Sequence, residues 1–318
     1  MEIINSYCIF PYRYYNEGEI SKKPVTVMSI QYLILIPMVL LAVAKVLLQG
    51  MISRTYLKNT TDSAIYNMLV FGGMSVLYFI VGGFKLPSLH ILPYGILYGL
   101  MLAGFQICYT LALKCGPVSH TALIVTFSLA FAVTFGIIYC GEQLTILHIS
   151  GLACIFLSLL LTIDFKQTKQ HKFNIIWFLL SLAAMTMNGT ASIIVKLQKM
   201  TYPDEDMGML LTTYVSGTLL LYFIKCCYTG IKKQPRAMVL SPSRLFIMLS
   251  CSVLLGSYLF LFSIGAGTIP AVVFFPIVNI APTTVISLFG IFIFKDKLTR
   301  QQVFSLIFGI AATLLLCL

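Results

Sequence analysis

Nine polar residues lie inside long apolar runs or at their ends: Lys45, Gln106, Tyr109, His120, Asn188, Lys196, Ser257, Tyr258 and Asn279. An amide or hydroxyl left alone in hydrocarbon costs about 2–7 kcal/mol. Each must therefore pair with another group or face water. Their chemistry is recognition, not bond making. Amides, phenols and a hydroxyl supply orientable hydrogen bonds, the lysines supply positive charge, and His120 exchanges a proton near neutral pH. Gln106 and Tyr109 stand three apart, on one face of a helix. Gly104, Gly189, Gly256, Pro276 and Pro282 punctuate the same runs. A broken helix offers backbone groups to a cavity, which suits a polar solute.

Each residue also has a plainer reading. Tyr109 and Tyr258 serve equally as packing aromatics, Asn188 and Asn279 as bonds between helices, and His120 as an interface residue. Lys45 and Lys196 fall near the ends of their runs, where a lysine stem reaches the headgroups. The functional alternative for both is a charge that draws anions to a cavity mouth. All ten acids lie in the polar tail, the connections or the run ends, among them Asp62, Glu142, Asp164, Asp204 and Asp296. Exchange of lipophilic cations for protons wants a carboxylate inside the membrane, so the pattern favours neutral or anionic solutes. No metalloprotease, phosphate-loop, nucleophile-elbow or kinase motif occurs. The expectation is no enzyme, no cofactor and no metal centre.

The runs that position these residues define the class. Of 318 residues, 59% are hydrophobic and 10% charged, and mean hydropathy is +0.95. A soluble domain carries about 25% charged residues. Ten apolar stretches are long enough to cross a bilayer, at 24–49, 64–83, 91–113, 118–139, 146–163, 173–197, 207–228, 244–264, 269–294 and 302–318. The expected fold is an all-α integral membrane protein of ten transmembrane helices. Residues 1–27 read as a polar tail, and Met28, where the first run begins, is a second candidate start. The net charge of +11 is scattered between runs with no basic face, so no nucleic acid is expected. Nine cysteines include no CxxC pair and read as small packing residues. Gly95 and Gly99 form a GxxxG step that predicts a close helix contact within the chain.

The punctuation repeats. Lys45 and Lys196 stand 151 positions apart, as do Gly116 and Gly267; Glu142 in GEQLT and Asp296 in KDKLT stand 154 apart. Five runs per copy is an odd number, so the second copy enters the membrane from the opposite face. The expected organisation is two inverted-topology five-helix repeats, 28–165 and 173–318, which enclose a site between them. Lys and Arg number six on the side of the termini and fourteen on the other. That ratio places the termini outside the cell.

The segments ALKCGPVSHTALIV and FGIIYCGEQLT, with IPAVVFFPIVNIAPTTVISLFGIFIFKDKLT in the second copy, resemble the EamA-type branch of the drug/metabolite transporter superfamily. Ala112–Pro117 and Gly141–Thr145 match its turn and its Gly-Glu-x-Leu-Thr ending, and Pro282 its mid-helix proline. Lys295-Asp296 replaces Gly-Glu in the second copy, Ser128 stands at a frequent proline, and Trp177 is the one tryptophan. The resemblance implies cytoplasmic termini, against the charge count. It also implies a bacterial plasma membrane, a monomer or homodimer, and alternating-access transport, typically export, of a small polar metabolite such as an amino acid. A nucleotide-sugar or sugar-phosphate exchanger of the same fold would want more cavity cations than Lys45 and Lys196. A non-transporting scaffold or biosynthetic accessory is the alternative of another class.

Overall fold

The computed structural model describes residues 33–56, 60–115, 121, 124–162, 175–231, 242–292 and 300–317. Among these are ten helices and no strand: α1 Leu35–Tyr56, α2 Thr60–Val81, α3 Leu92–Cys115, α4 Leu129–Cys140, α5 Ile146–Thr162, α6 Ile175–Thr201, α7 Asp206–Ile231, α8 Pro242–Thr268, α9 Ala271–Phe292 and α10 Arg300–Cys317. Helix is what an apolar run must form where no water can satisfy its backbone. Five of them (α2, α3, α6, α7 and α8) are long and apolar enough to cross a bilayer. Their outward positions are apolar as well: Val76, Ile80, Phe223 and Phe246 are all more than half exposed. A helix apolar all round is solvated by lipid or protein, not water.

Two boundaries differ from the sequence expectation. α1 runs beyond 49 to Tyr56, because nothing after Gly50 breaks it. The run expected at 118–139 is helical at Thr121 and at 124–126, and a turn at 127–128 separates that stretch from α4. Before it the backbone is tightened: the N–H groups of Phe127, Ser128, Ala130 and Phe131 each donate to the carbonyl three residues back, the 3₁₀ pattern.

Packing joins the two halves of the chain. α3 lies against α6 and α7, and α8 against α1 and α2. α2 pairs with α7, α4 with α9 and α5 with α10, while α4 meets α6 and α9 meets α1. Exchanging α1–α5 for α6–α10 maps these partnerships onto themselves, while the contacts of α9 with α10 and α5, and of α8 with α6, have no counterpart of like extent among the described residues. A close approach falls at the expected step. A Cβ on Gly95 would press on Thr212 and the Met209 carbonyl, and one on Gly99 on Ser216 and the Thr213 carbonyl, so the two glycines bring α3 onto α7 within the chain.

Four connections meet at one end of the bundle. The Ser88 hydroxyl, between α2 and α3, donates to Glu205, between α6 and α7, at 2.9 Å. Lys199 pairs with Asp206, which also accepts from Ser263 near the end of α8 at 2.8 Å. Glu142, between α4 and α5, reaches the start of α9. The residues of the 1–27 tail, His120, Gly116 and Asp296 lie outside the described residues.

Candidate functional site

Lys45 is eleventh of the 22 residues of α1, well short of the helix end at which the sequence placed it. Its ammonium stands over the ring of Tyr258 on α8, 5.6 Å from the centroid. Tyr258 is about 24 Å along α8 from Pro242 and about 15 Å from Thr268 at 1.5 Å per residue. The lysine therefore points into the molecule and does not reach for headgroups. No described carboxylate acts on it.

Tyr258 opens a cluster of phenols. Tyr98 of α3 lies within electrostatic range of it, and Tyr214 of α7 within range of Tyr78, Tyr98 and Tyr258. Tyr78 of α2 stacks on Tyr214 with ring centroids 5.7 Å apart, and its hydroxyl donates to the Gly256 carbonyl at 2.7 Å. The Tyr214 hydroxyl is buried with no hydrogen-bond partner among the described residues. Five helices, α1, α2, α3, α7 and α8, supply this group. Sequence reading found Lys45 and Tyr258 and missed Tyr78, Tyr98 and Tyr214. Mid-run position was the available signal, and packing aromatics share it.

The other expected residues are less convergent. Gln106 donates to Asn67 of α2 at 3.4 Å, and Tyr109 stacks on Phe105 of its own helix. Asn188 of α6 donates to Ser128 at 2.7 Å, so it holds the tightened segment before α4. Asn279 donates to the Phe275 carbonyl one turn back, and it is the exposed position in an otherwise buried stretch from Ala271 to Pro282. Ser257 is half-buried beside Tyr258.

Lys196 is 8% exposed. Its ammonium is 3.5 Å from Glu142 Oε1 and donates to the Ile269 carbonyl at 3.1 Å. Glu142 accepts from the N–H groups of Ala271 at 2.8 Å and Val272 at 2.9 Å, so a carboxylate caps the positive end of α9. The local sequence builds this reach. Gly141 ends α4 at φ 66, a left-handed conformation glycine adopts without strain. The Glu142 N–H then donates back to the Gly136 carbonyl at 3.1 Å. A Cβ on Gly136 would fall 2.6 Å from Glu142 Oε2. Sequence reading took Glu142 as loop punctuation; its partners lie over 50 residues downstream, beyond any local signal.

A groove of about 390 Å³ between α4 and α6, lined by residues such as Phe131, Phe135, Ile138 and Ile193, is almost wholly apolar and opens outward. It is unsuited to a polar solute. The phenol cluster is the better candidate on chemistry.

Residues 24–164 match the EamA-like transporter family, within the drug/metabolite transporter superfamily. No curated protein matches the chain. A solved structure titled only "Crystal structure of protein" is similar at a TM-score of 0.70 and 13% identity, covering 90% of this chain and 96% of that one. At that identity the likeness shows the fold alone.

Proposed function

We propose that this multi-pass membrane protein, with an EamA-like transporter domain over residues 24–164, is a secondary transporter that moves a small polar metabolite by alternating access. Residues 28–165 and 173–318 are two five-helix repeats of opposite topology, ten spans in all. The observation that supports this reading is that most of the helix partnerships, those of α3 with α6 and α7 and of α8 with α1 and α2 among them, are kept when α1–α5 exchange with α6–α10. The shared end of the α2–α3, α4–α5, α6–α7 and α8–α9 connections adds support. In inverted repeats the second-to-third turn of one copy lies at the end of the first-to-second turn of the other, as Ser88 and Glu205 do.

In this reading substrate sits among α1, α3, α7 and α8, with Lys45 and Tyr258 as first contacts. Gln106, Tyr109, Ser257 and Asn279 border the path, while Asn188 and Lys196 hold helices on either side of it. The substrate is an amino acid or related compound, and export is the direction. The test is counterflow by purified protein in liposomes loaded in turn with amino acids, organic acids, sugars, nucleosides and lipophilic cations. One hydrophilic class should exchange. Correctly inserted protein that exchanges none of them would defeat the reading.

A further inference from the structure

We infer that the phenol cluster is an anion subsite and that the substrate carries one carboxylate without a compensating ammonium. The inference rests on the transporter reading and, among small polar metabolites, sets aside the amino acids themselves in favour of related acids that lack the ammonium. The first observation is an excess of donors. Lys45 brings three N–H groups and a charge, with neither a hydrogen bond nor an ion pair to a described residue. Tyr214 brings a buried hydroxyl without a partner. The hydroxyls of Tyr98 and Tyr258 likewise bond to no described residue. A group of donors with nothing to accept from them asks for an acceptor-rich ligand, and a carboxylate supplies two oxygens with about four lone-pair sites.

Charge count comes second. One ammonium in a low-dielectric surrounding is best neutralised by one negative charge, which favours a monocarboxylate over a dianionic phosphate ester. No described acid stands by to receive a substrate ammonium. Glu142 is spent on Lys196 and α9, Asp206 on Lys199 and Ser263, and Glu205 on Ser88; Asp204 is exposed in the α6–α7 connection, and Asp62, which has a partner of its own, lies about 24 Å along α2 from Tyr78. Shape comes third. The half-buried ring of Tyr258 is the surface an apolar body behind the acid group would pack on, while Tyr78 and Tyr214 are buried and stacked on each other. Position comes last: the cluster lies beneath the end where four connections are tied together, so a bound acid is covered from that side.

The test sets acids against their amides. Wild-type protein in liposomes is challenged by acetate, butyrate, benzoate and phenylacetate, each beside its amide, with glycerol phosphate and a panel of amino acids and sugars as controls. At least one monocarboxylate should exchange and its amide should not. Lys45→Gln should weaken that acid by roughly tenfold or more, and Lys45→Arg should retain it. Tyr258→Phe, which keeps the ring, should weaken it less than Lys45→Gln does. Monodisperse Lys45→Gln protein with unchanged affinity for the acid would overturn the inference. So would equal exchange of acid and amide, which would mean that the ammonium serves a carboxylate of the chain itself. Preference for glycerol phosphate, or exchange of a neutral solute or amino acid with no acid exchanged, overturns the inference and leaves the transporter reading standing. Exchange of nothing in the whole panel removes both.

Discussion

Glu142 is one carboxylate holding three donors from two other helices. Removing it leaves Lys196 buried without its counter-charge and two N–H groups of α9 without acceptors. Glu142→Ala should cost about 3–5 kcal/mol, the range for a broken buried pair, read as earlier thermal unfolding in detergent. Glu142→Gln keeps one acceptor and should cost less. If Glu142→Ala melts with wild type, the contact adds nothing to stability. Legibility at this scale divided by type. Lys45 stood out because charge is rare inside an apolar run, and Tyr258 because it follows Gly256 and Ser257 at the middle of its run. Tyr98 and Tyr214 did not, because a tyrosine in a membrane run is as often packing as site. Lys196 was noticed for its charge, yet its partner Glu142 was out of sight, since ion pairing across 54 positions leaves no local spacing to read.

Helices were the legible elements. Ten apolar runs anticipated ten helices, because in hydrocarbon the backbone has few other ways to satisfy itself. The ends were harder. A lipid boundary is a property of the bilayer, so α1 continues to Tyr56 past the point where hydropathy drops. The tightened turns at Phe127–Phe131 were hidden because no proline marks them. Where small residues set a helix contact, the sequence spoke clearly: Gly95 and Gly99 bring α3 onto α7. Gly99→Val should separate that pair, because the Thr213 carbonyl it would press on is backbone and cannot rotate away. A loss of about 2 kcal/mol or more is expected, within the overpacking range. Gly82, whose Cβ would meet its own turn near Tyr78, makes a poor control; Gly72, with only Thr218 at 4.0 Å, makes a good one. Gly72→Ala should melt within a degree or two of wild type, and equal losses at both sites would show that the α3–α7 approach is not the tight one.

At the scale of the molecule, the two halves are interleaved, and one end is tied across them. Cys140 at the end of α4 and Met200 near the end of α6 bring their sulfurs to 3.6 Å. Met200→Cys followed by a short cleavable thiol linker to Cys140 should pin that end. Counterflow should stop on linking and return on cleavage. Undiminished counterflow with full linking would mean that this end does not open during the cycle. The proposed repeat organisation was suggested by polar punctuation, Lys45 and Lys196 standing 151 positions apart. What punctuation left open was that the two halves of the chain share helix contacts instead of standing side by side.

The tie between Glu142 and α9 also has a timetable. Ala271 follows Glu142 by 129 residues, so at about 5–20 residues per second the carboxylate is made some 6–25 s before the amides that receive it. In the early part of that interval, before Lys196 and α7 are made, Gly95 and Gly99 face no α7 and Glu142 lacks Lys196. The nascent first half is a surface awaiting its mate, held in the meantime by the insertion machinery or by lipid and water. Final assembly is thus timed by the ribosome, and a pause in translating the α5–α6 connection would prolong the exposure of the very groups that later close the molecule.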